Sequence, residues 1–237
     1  MIANRPPVLA HERFVADREN FADLDLAARF ERIEQTNLWG AATSVSGLGS
    51  ENPATTAIRE ELPPLLQRLG ARSLLDAPCG DAGWIGRLKL DLDYTGIDIV
   101  PSLIEANRRR VDGGELSGRF LLADVTRDAL PRADVILCRD CLVHLSFDNI
   151  ARAASRFADS GARFLLVTTF PEWNPNHDCE DGDWRALNME RAPFNWPLPR
   201  ALINERCEEG DGGWRDKSLG LWRLDELPDR VRFATDV

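Results

Sequence analysis

From residue 73 onward the chain repeats one pattern: a short apolar run, then a segment of helical period, then another apolar run. The runs are Ser73-Leu-Leu-Asp-Ala77, Tyr94-Thr-Gly-Ile-Asp98, Arg119-Phe-Leu-Leu-Ala123, Ala133-Asp-Val-Ile-Leu-Cys138 and Arg163-Phe-Leu-Leu-Val-Thr168. Strands this apolar are buried on both faces, and helices between them supply the cover. The pattern predicts an α/β fold with a parallel sheet and helices on both faces. Helices are expected over 84–90, from Pro101 to about Val111, and from Phe147 to Ser160 with Gly161 as the stop. A further helix over 55–69, ended by Gly70, precedes the first strand, with Pro63 and Pro64 in its middle as a local argument for a break.

Both flanks of this repeat differ from it. Residues 8–38 hold Phe14, Phe21, Leu24, Leu26, Phe30 and Ile33 at a rough helical period, which predicts one or two amphipathic helices. The small, polar stretch Gly40–Ser50 is a loop, with glycines that suit a lid. The expected organisation is an N-terminal helical extension and lid loop over 1–54, then one domain over 55–237. Residues 170–199 are rich in Pro and Trp and predict a long ordered loop capping the substrate side. Two late strands, near 201–207 and 217–224, flank the turn Glu209-Gly-Asp-Gly-Gly213 and predict an antiparallel hairpin at the sheet edge.

Charge narrows the partners. The chain has 29 Lys plus Arg against 39 Asp plus Glu, a formal net charge of −10. The compact basic run is Arg108-Arg109-Arg110, read as a solvated helix face, so bulk nucleic-acid binding is disfavoured. There is no apolar stretch of membrane-spanning length, and the sequence starts without a hydrophobic signal core. Five irregularly spaced cysteines do not make a disulfide framework, and a cytoplasmic protein is the expectation. Cys138 and Cys141 have zinc-like spacing but no matching second pair, and buried thiols account for them better.

The chemistry concentrates after the first strand, in Asp76-Ala77-Pro78-Cys79-Gly80-Asp81-Ala82-Gly83. Ligands of open parallel sheets sit beyond the carboxyl ends of the strands. Asp98 closes the second strand and can accept both hydroxyls of a ribose. Asp124 follows the third strand and can accept an adenine amine. A dinucleotide site wants G-x-G-x-x-G here, but Pro78 stands at its first glycine, and Asp76 and Asp81 would repel a pyrophosphate. An acidic turn suits a cofactor with cationic groups and no phosphate. S-adenosylmethionine, with its sulfonium and α-amine, is such a cofactor.

The stretch Asp76–Gly83, with Gly96-Ile-Asp98, Ala123-Asp124-Val125 and Asp134-Val-Ile-Leu-Cys-Arg139, resembles the successive motifs of class I S-adenosylmethionine-dependent methyltransferases. The resemblance covers roughly residues 55–225. Within that superfamily, Gly47-Leu-Gly-Ser50, Cys138–Leu145 and Gly182–Asn188 resemble a bacterial small-molecule-type group. The superfamily usually has D-x-G-x-G-x-G; here Pro78 and Ala82 replace two of the glycines. The resemblance implies a Rossmann-like, seven-stranded, mostly parallel sheet of order 3-2-1-4-5-7-6. It implies that Asp76, Ala77, Pro78, Gly80 and Asp81 hold the methionine part of the cofactor. Asp98 and Ile99 would hold the ribose, Asp124 and Val125 the adenine, with Arg139 against the methionine end. Trp39 beside the lid loop could cover the cofactor, and the Arg59 guanidinium could clamp its carboxylate.

The implied activity is methyl transfer to an oxygen or nitrogen of a small or carrier-bound substrate. An RNA or protein methyltransferase and an NAD-dependent oxidoreductase are the alternatives. His144, in Asp140-Cys-Leu-Val-His144, is the candidate base, with Asp140 beside it. Ubiquinone-type and small-RNA 2′-O-methyltransferases carry an acid-x-x-acid-His metal motif here, but Val143 replaces the second acid, so no metal is expected. His177, Asp183, Trp184, Arg185 and Asn188 in the capping loop are the candidate substrate contacts.

Overall fold

The computed structural model describes residues 5–228. Its centre is a seven-stranded sheet of order β3-β2-β1-β4-β5-β7-β6. The strands are β1 (Ser73–Asp76), β2 (Asp93–Asp98), β3 (Arg119–Leu122), β4 (Val135–Cys138), β5 (Phe164–Thr169), β6 (Ala201–Asn204) and β7 (Ser218–Arg223). Strands β1 to β5 pair in parallel, and β7 runs antiparallel to both β5 and β6. Every residue of β4 and β5 is buried, as their unbroken apolar runs require.

The longer helices are α1 (Leu9–Asp17), α2 (Leu26–Thr36), α3 (Thr56–Arg68), α4 (Pro101–Asp112) and α5 (Phe147–Asp159). Helix α5 starts where Ser146 accepts a hydrogen bond from the Asn149 amide, and it buries Ile150, Ala153 and Phe157 along one stripe. Two expectations need correction. Helix α3 runs unbroken through Pro63 and Pro64. The prolines leave the carbonyls of Arg59 and Glu60 without helical donors, but Pro64 and Glu60 are exposed, and Ile58, Leu62, Leu65 and Leu66 bury the opposite face. The helix expected over 84–90 is only a 3-10 turn, Ile85–Arg87. Gly86 lies in it, where a Cβ would run into Leu116.

Two apolar clusters cover the sheet. Leu75, Ile97, Ile136, Leu165 and Trp222 belong to one, which takes in α5; Leu74, Phe120, Leu137, Leu166 and Leu221 belong to the other, which takes in α3. Residues 170–199 are an ordered loop with no helix or strand, as expected, and bury Phe170, Leu187, Met189, Phe194 and Trp196. The N-terminal segment is fastened to the far end of the chain. Arg5 pairs with Asp216 at 2.5 and 3.2 Å, and its guanidinium lies 5.6 and 5.1 Å from the rings of Trp173 and Trp214.

Candidate active site

The carboxyl ends of β1, β2 and β3 each deliver an acid to one cavity: Asp76 ends β1, Asp98 ends β2, and Asp124 follows β3. Asp98 is buried and accepts the Gly80 amide at 2.9 Å and the Val100 amide at 3.0 Å. It therefore ties the glycine turn to the start of α4. Burial pushes its carboxyl up to about 6, although the backbone amides oppose the shift. Asp124 Oδ1 accepts both the amide and the hydroxyl of Thr126 at 2.7 Å. Asp76 is buried, with the Tyr94 hydroxyl donating to Oδ2 at 2.7 Å. Burial pushes its carboxyl up to about 7, against the Tyr94 hydrogen bond.

Gly80 takes a φ of +54°, and a Cβ there would run into the Ser46 hydroxyl. This is where the chain requires glycine. The turn is held from below: Asn107 donates to the Gly80 carbonyl at 2.8 Å, and Arg110 to the Asp81 carbonyl at 2.6 Å. Arg108 donates to the Phe120 carbonyl at 2.8 Å. Two of the three arginines expected on a solvated face are thus structural braces.

Beyond β4 lies a charge-balanced quartet. Arg139 pairs with Glu205 at 2.7 Å and Asp140 at 3.3 Å; Lys217 pairs with Asp140 at 2.7 Å and Glu205 at 3.4 Å. Burial alone would raise the Asp140 carboxyl, but Lys217 and Arg139 override it and hold the acid well below the usual range. Four residues on, His144 is buried at the cavity wall. Its Nδ1 lies 2.8 Å from the Asp183 carbonyl. A carbonyl only accepts, so Nδ1 carries the proton and Nε2 keeps the lone pair. Burial drives the ring's pKa down to about 4, so it is neutral at physiological pH.

The lid loop lies against this floor. Ser44 donates to Asp81 Oδ2 at 2.7 Å, the Asp81 amide donates to Ser46 Oγ at 3.0 Å, and the Gly49 carbonyl accepts from Arg139 at 2.6 Å. Trp39 stacks on His144 with ring centres 4.5 Å apart. Leu26, Phe30, Ile33 and Glu34 of α2 complete the wall.

The structure thus brings together most of the expected set. Asp76, Pro78, Gly80, Asp98, Ile99, Asp124, Val125, Arg139, Asp140, His144 and Trp39 all line the cavity. Ala77 and Asp81 lie just outside its lining, Ala77 fully buried and Asp81 engaged by the lid. Arg59 does not line it; its guanidinium turns to the Asn52 carbonyl. The five capping-loop residues expected at the substrate do not line it either. Asp183 binds His144 through its carbonyl and His11 through its carboxylate. Arg185 donates to the carbonyls of Leu142, Leu145 and His177, and Asn188 to those of Pro171 and Trp173. Trp184 packs edge-on against Phe170 and Trp214, and His177 is exposed. These residues form a brace behind His144. Sequence reasoning missed Phe30, Trp84, Leu103 and Leu145 in the lining. Their apolar type signals burial, and nothing local says which cavity they face.

A family model described as a methyltransferase domain matches residues 74–160. Among solved structures, the methyltransferase domain of bacterial CtHen1-C aligns at TM-score 0.52 and 14% identity, covering 72% of this chain and 98% of that one. A protein from Pyrococcus horikoshii OT3 aligns at TM-score 0.43 and 18% identity, covering 50% of this chain and 59% of that one, so less than two thirds of that relative is spanned. Magnesium protoporphyrin IX methyltransferase from Synechocystis PCC 6803, with bound SAH, aligns at TM-score 0.42 and 15% identity over 70% of each chain. No curated protein sequence matches. The sheet order and the alignment to the CtHen1-C domain give the chain the class I S-adenosylmethionine-dependent methyltransferase fold, and the family model matches its segment 74–160. The matched methyltransferase-domain model implies S-adenosylmethionine as the cofactor, and the donor set fits it, with three strand-end acids facing one cavity.

Proposed function

We propose that the chain moves a methyl group from S-adenosylmethionine to an oxygen or nitrogen of a small or carrier-bound substrate. One observation carries this reading: a neutral imidazole with a free Nε2 lone pair lines the same cavity as the strand-end acids. The charge of the lining supports it. Among the described lining residues, Glu34, Asp76, Asp98, Asp124 and Asp140 face Arg139 as the lone Lys or Arg, which suits a cationic ligand better than a diphosphate.

Asp98 and Asp124 have carboxylate lone pairs left for a ribose and an adenine amine. Asp76 lies where a cationic amine would settle, and Gly80 lets the backbone approach closely. When bound, the cofactor supplies an electrophilic methyl on a sulfonium. His144 Nε2 takes the proton of an incoming hydroxyl or ammonium, while Trp39 and the Asp183 carbonyl hold the ring in place. The lid loop and α2 exclude water.

Titration calorimetry with S-adenosylhomocysteine tests the core of this. One-site binding supports it, and a pool of small amines and alcohols then reports methyl transfer. Absence of binding by the folded protein at millimolar ligand overturns the reading.

A further inference from the structure

Asp76 is an awkward residue for a cation site. It is 3% exposed, and among the described residues no salt-bridge partner touches it; the Arg139 charge acts on it only from a distance. Among the described residues, its one side-chain hydrogen bond comes from Tyr94. Tyr94 lies near the start of β2, level with Leu74 on β1, and Asp76 is level with Gly96. Tyr94 and Asp76 therefore stand on the same face, two residues apart along the strands. Gly96 between them bears no side chain; a Cβ there would strike Cys79 and Phe120 at 2.9 Å. The Tyr94 ring packs on Phe120 at 5.7 Å and lines a groove with Leu92 and Leu116 outside the cofactor cavity. Its hydroxyl reaches through to the acid that lines the cavity.

We propose that Tyr94 is a positioning residue for cofactor binding: its hydroxyl holds Asp76 as a carboxylate, with Oδ1 left for the cofactor's cationic amine. The proposal rests on the S-adenosylmethionine reading of the cavity. Burial, then the neighbouring Asp76 charge, push the Tyr94 phenol well above its usual range, so it keeps its proton and donates at every pH the enzyme meets. The other groups around Asp76 are Asp98 on β2, Arg139 and Cys138 beyond and at the end of β4, and Cys79 in the turn. Arg139 stays charged and favours the carboxylate; both thiols stay protonated. Only Asp98 also titrates near neutrality, and its inflection, near 6, is common to wild type and variant.

The test is S-adenosylhomocysteine affinity from pH 5.5 to 8.5 for wild type, Tyr94→Phe and Asp76→Asn. In wild type the affinity rises with pH through about 7, as Asp76 ionises. In Tyr94→Phe the midpoint moves up by roughly one unit, so affinity is about fivefold weaker at pH 7 and recovers toward wild type at pH 8.5. Asp76→Asn binds weakly and lacks the inflection near 7. A Tyr94→Phe curve that overlays wild type, or one weakened equally at every pH, overturns the role of Tyr94 while the cofactor reading stands. No binding by wild type overturns both. Thermal unfolding of each variant separates a folding defect from a binding one, and Tyr94→Phe keeps the ring that packs on Phe120.

Discussion

At the scale of single residues, the site works by setting protonation states through burial and one or two directed hydrogen bonds. His144 illustrates this. An exposed imidazole would be partly charged near pH 6.5 and a poor proton acceptor below it. Burial lowers it to about 4, and the Asp183 carbonyl selects the tautomer. Replacing His144 by Gln should lower turnover by roughly 10²–10⁴-fold and leave S-adenosylhomocysteine affinity nearly unchanged. Wild-type turnover should not lose this base until the pH falls toward 4. Parallel kinetics and calorimetry check both, and full turnover in the variant would show that positioning alone suffices. Asp76 carries the opposite shift. With its carboxyl raised from 3.8 to about 7, the folded chain holds a proton that the unfolded chain has released across that window. Its contribution to stability is therefore fully present below about pH 4 and lost as pH rises through 7. Asp76→Asn should then gain stability over wild type between pH 5 and pH 8, on the order of 2 kcal/mol, with cofactor absent. Urea midpoints at the two pH values measure this; a constant difference would mean the acid is not perturbed.

At the scale of elements, the lid loop and the glycine turn form one device. They share the Ser44–Asp81 and Ser46–Asp81 hydrogen bonds, and Gly80 leaves room for Ser46. Gly80→Ala places a side chain at positive φ against Ser46, and should cost about 1 kcal/mol or more and weaken cofactor binding. Adding Ser46→Ala should recover part of the loss, since the clashing hydroxyl is gone; a double-mutant cycle reads the coupling. Strictly additive losses would mean that the two do not meet. The strand-end acids were legible in the sequence because an apolar run and the acid that closes it are local features. Asp76, Asp98 and Asp124 could be placed by counting. The seal between Ser44, Ser46 and Asp81 was not, because it joins segments more than thirty residues apart through small side chains common in any loop. The capping loop misled for a related reason. Its Trp, Arg and Asn residues have the composition of a binding surface, yet Arg185 and Asn188 spend their donors on carbonyls that no sequence pattern marks. Helix α3 shows the same limit: two prolines argue locally for a break, and burial of five apolar side chains outweighs them.

At the scale of the whole molecule, the α2 helix and lid loop make the N-terminal extension part of the cavity rather than an appendage. Among the described residues no helix is long and apolar enough to cross a membrane. The extension's position is fixed at its outer end by Arg5, paired with Asp216 and lying beside the adjoining indole rings of Trp173 and Trp214. This clasp gives the chain a mechanical property. A load applied between its opening segment and its closing hairpin reaches the guanidinium–carboxylate link before it reaches the strands. That link would yield first under tension, slackening the wall around the cofactor while the sheet behind it stayed intact.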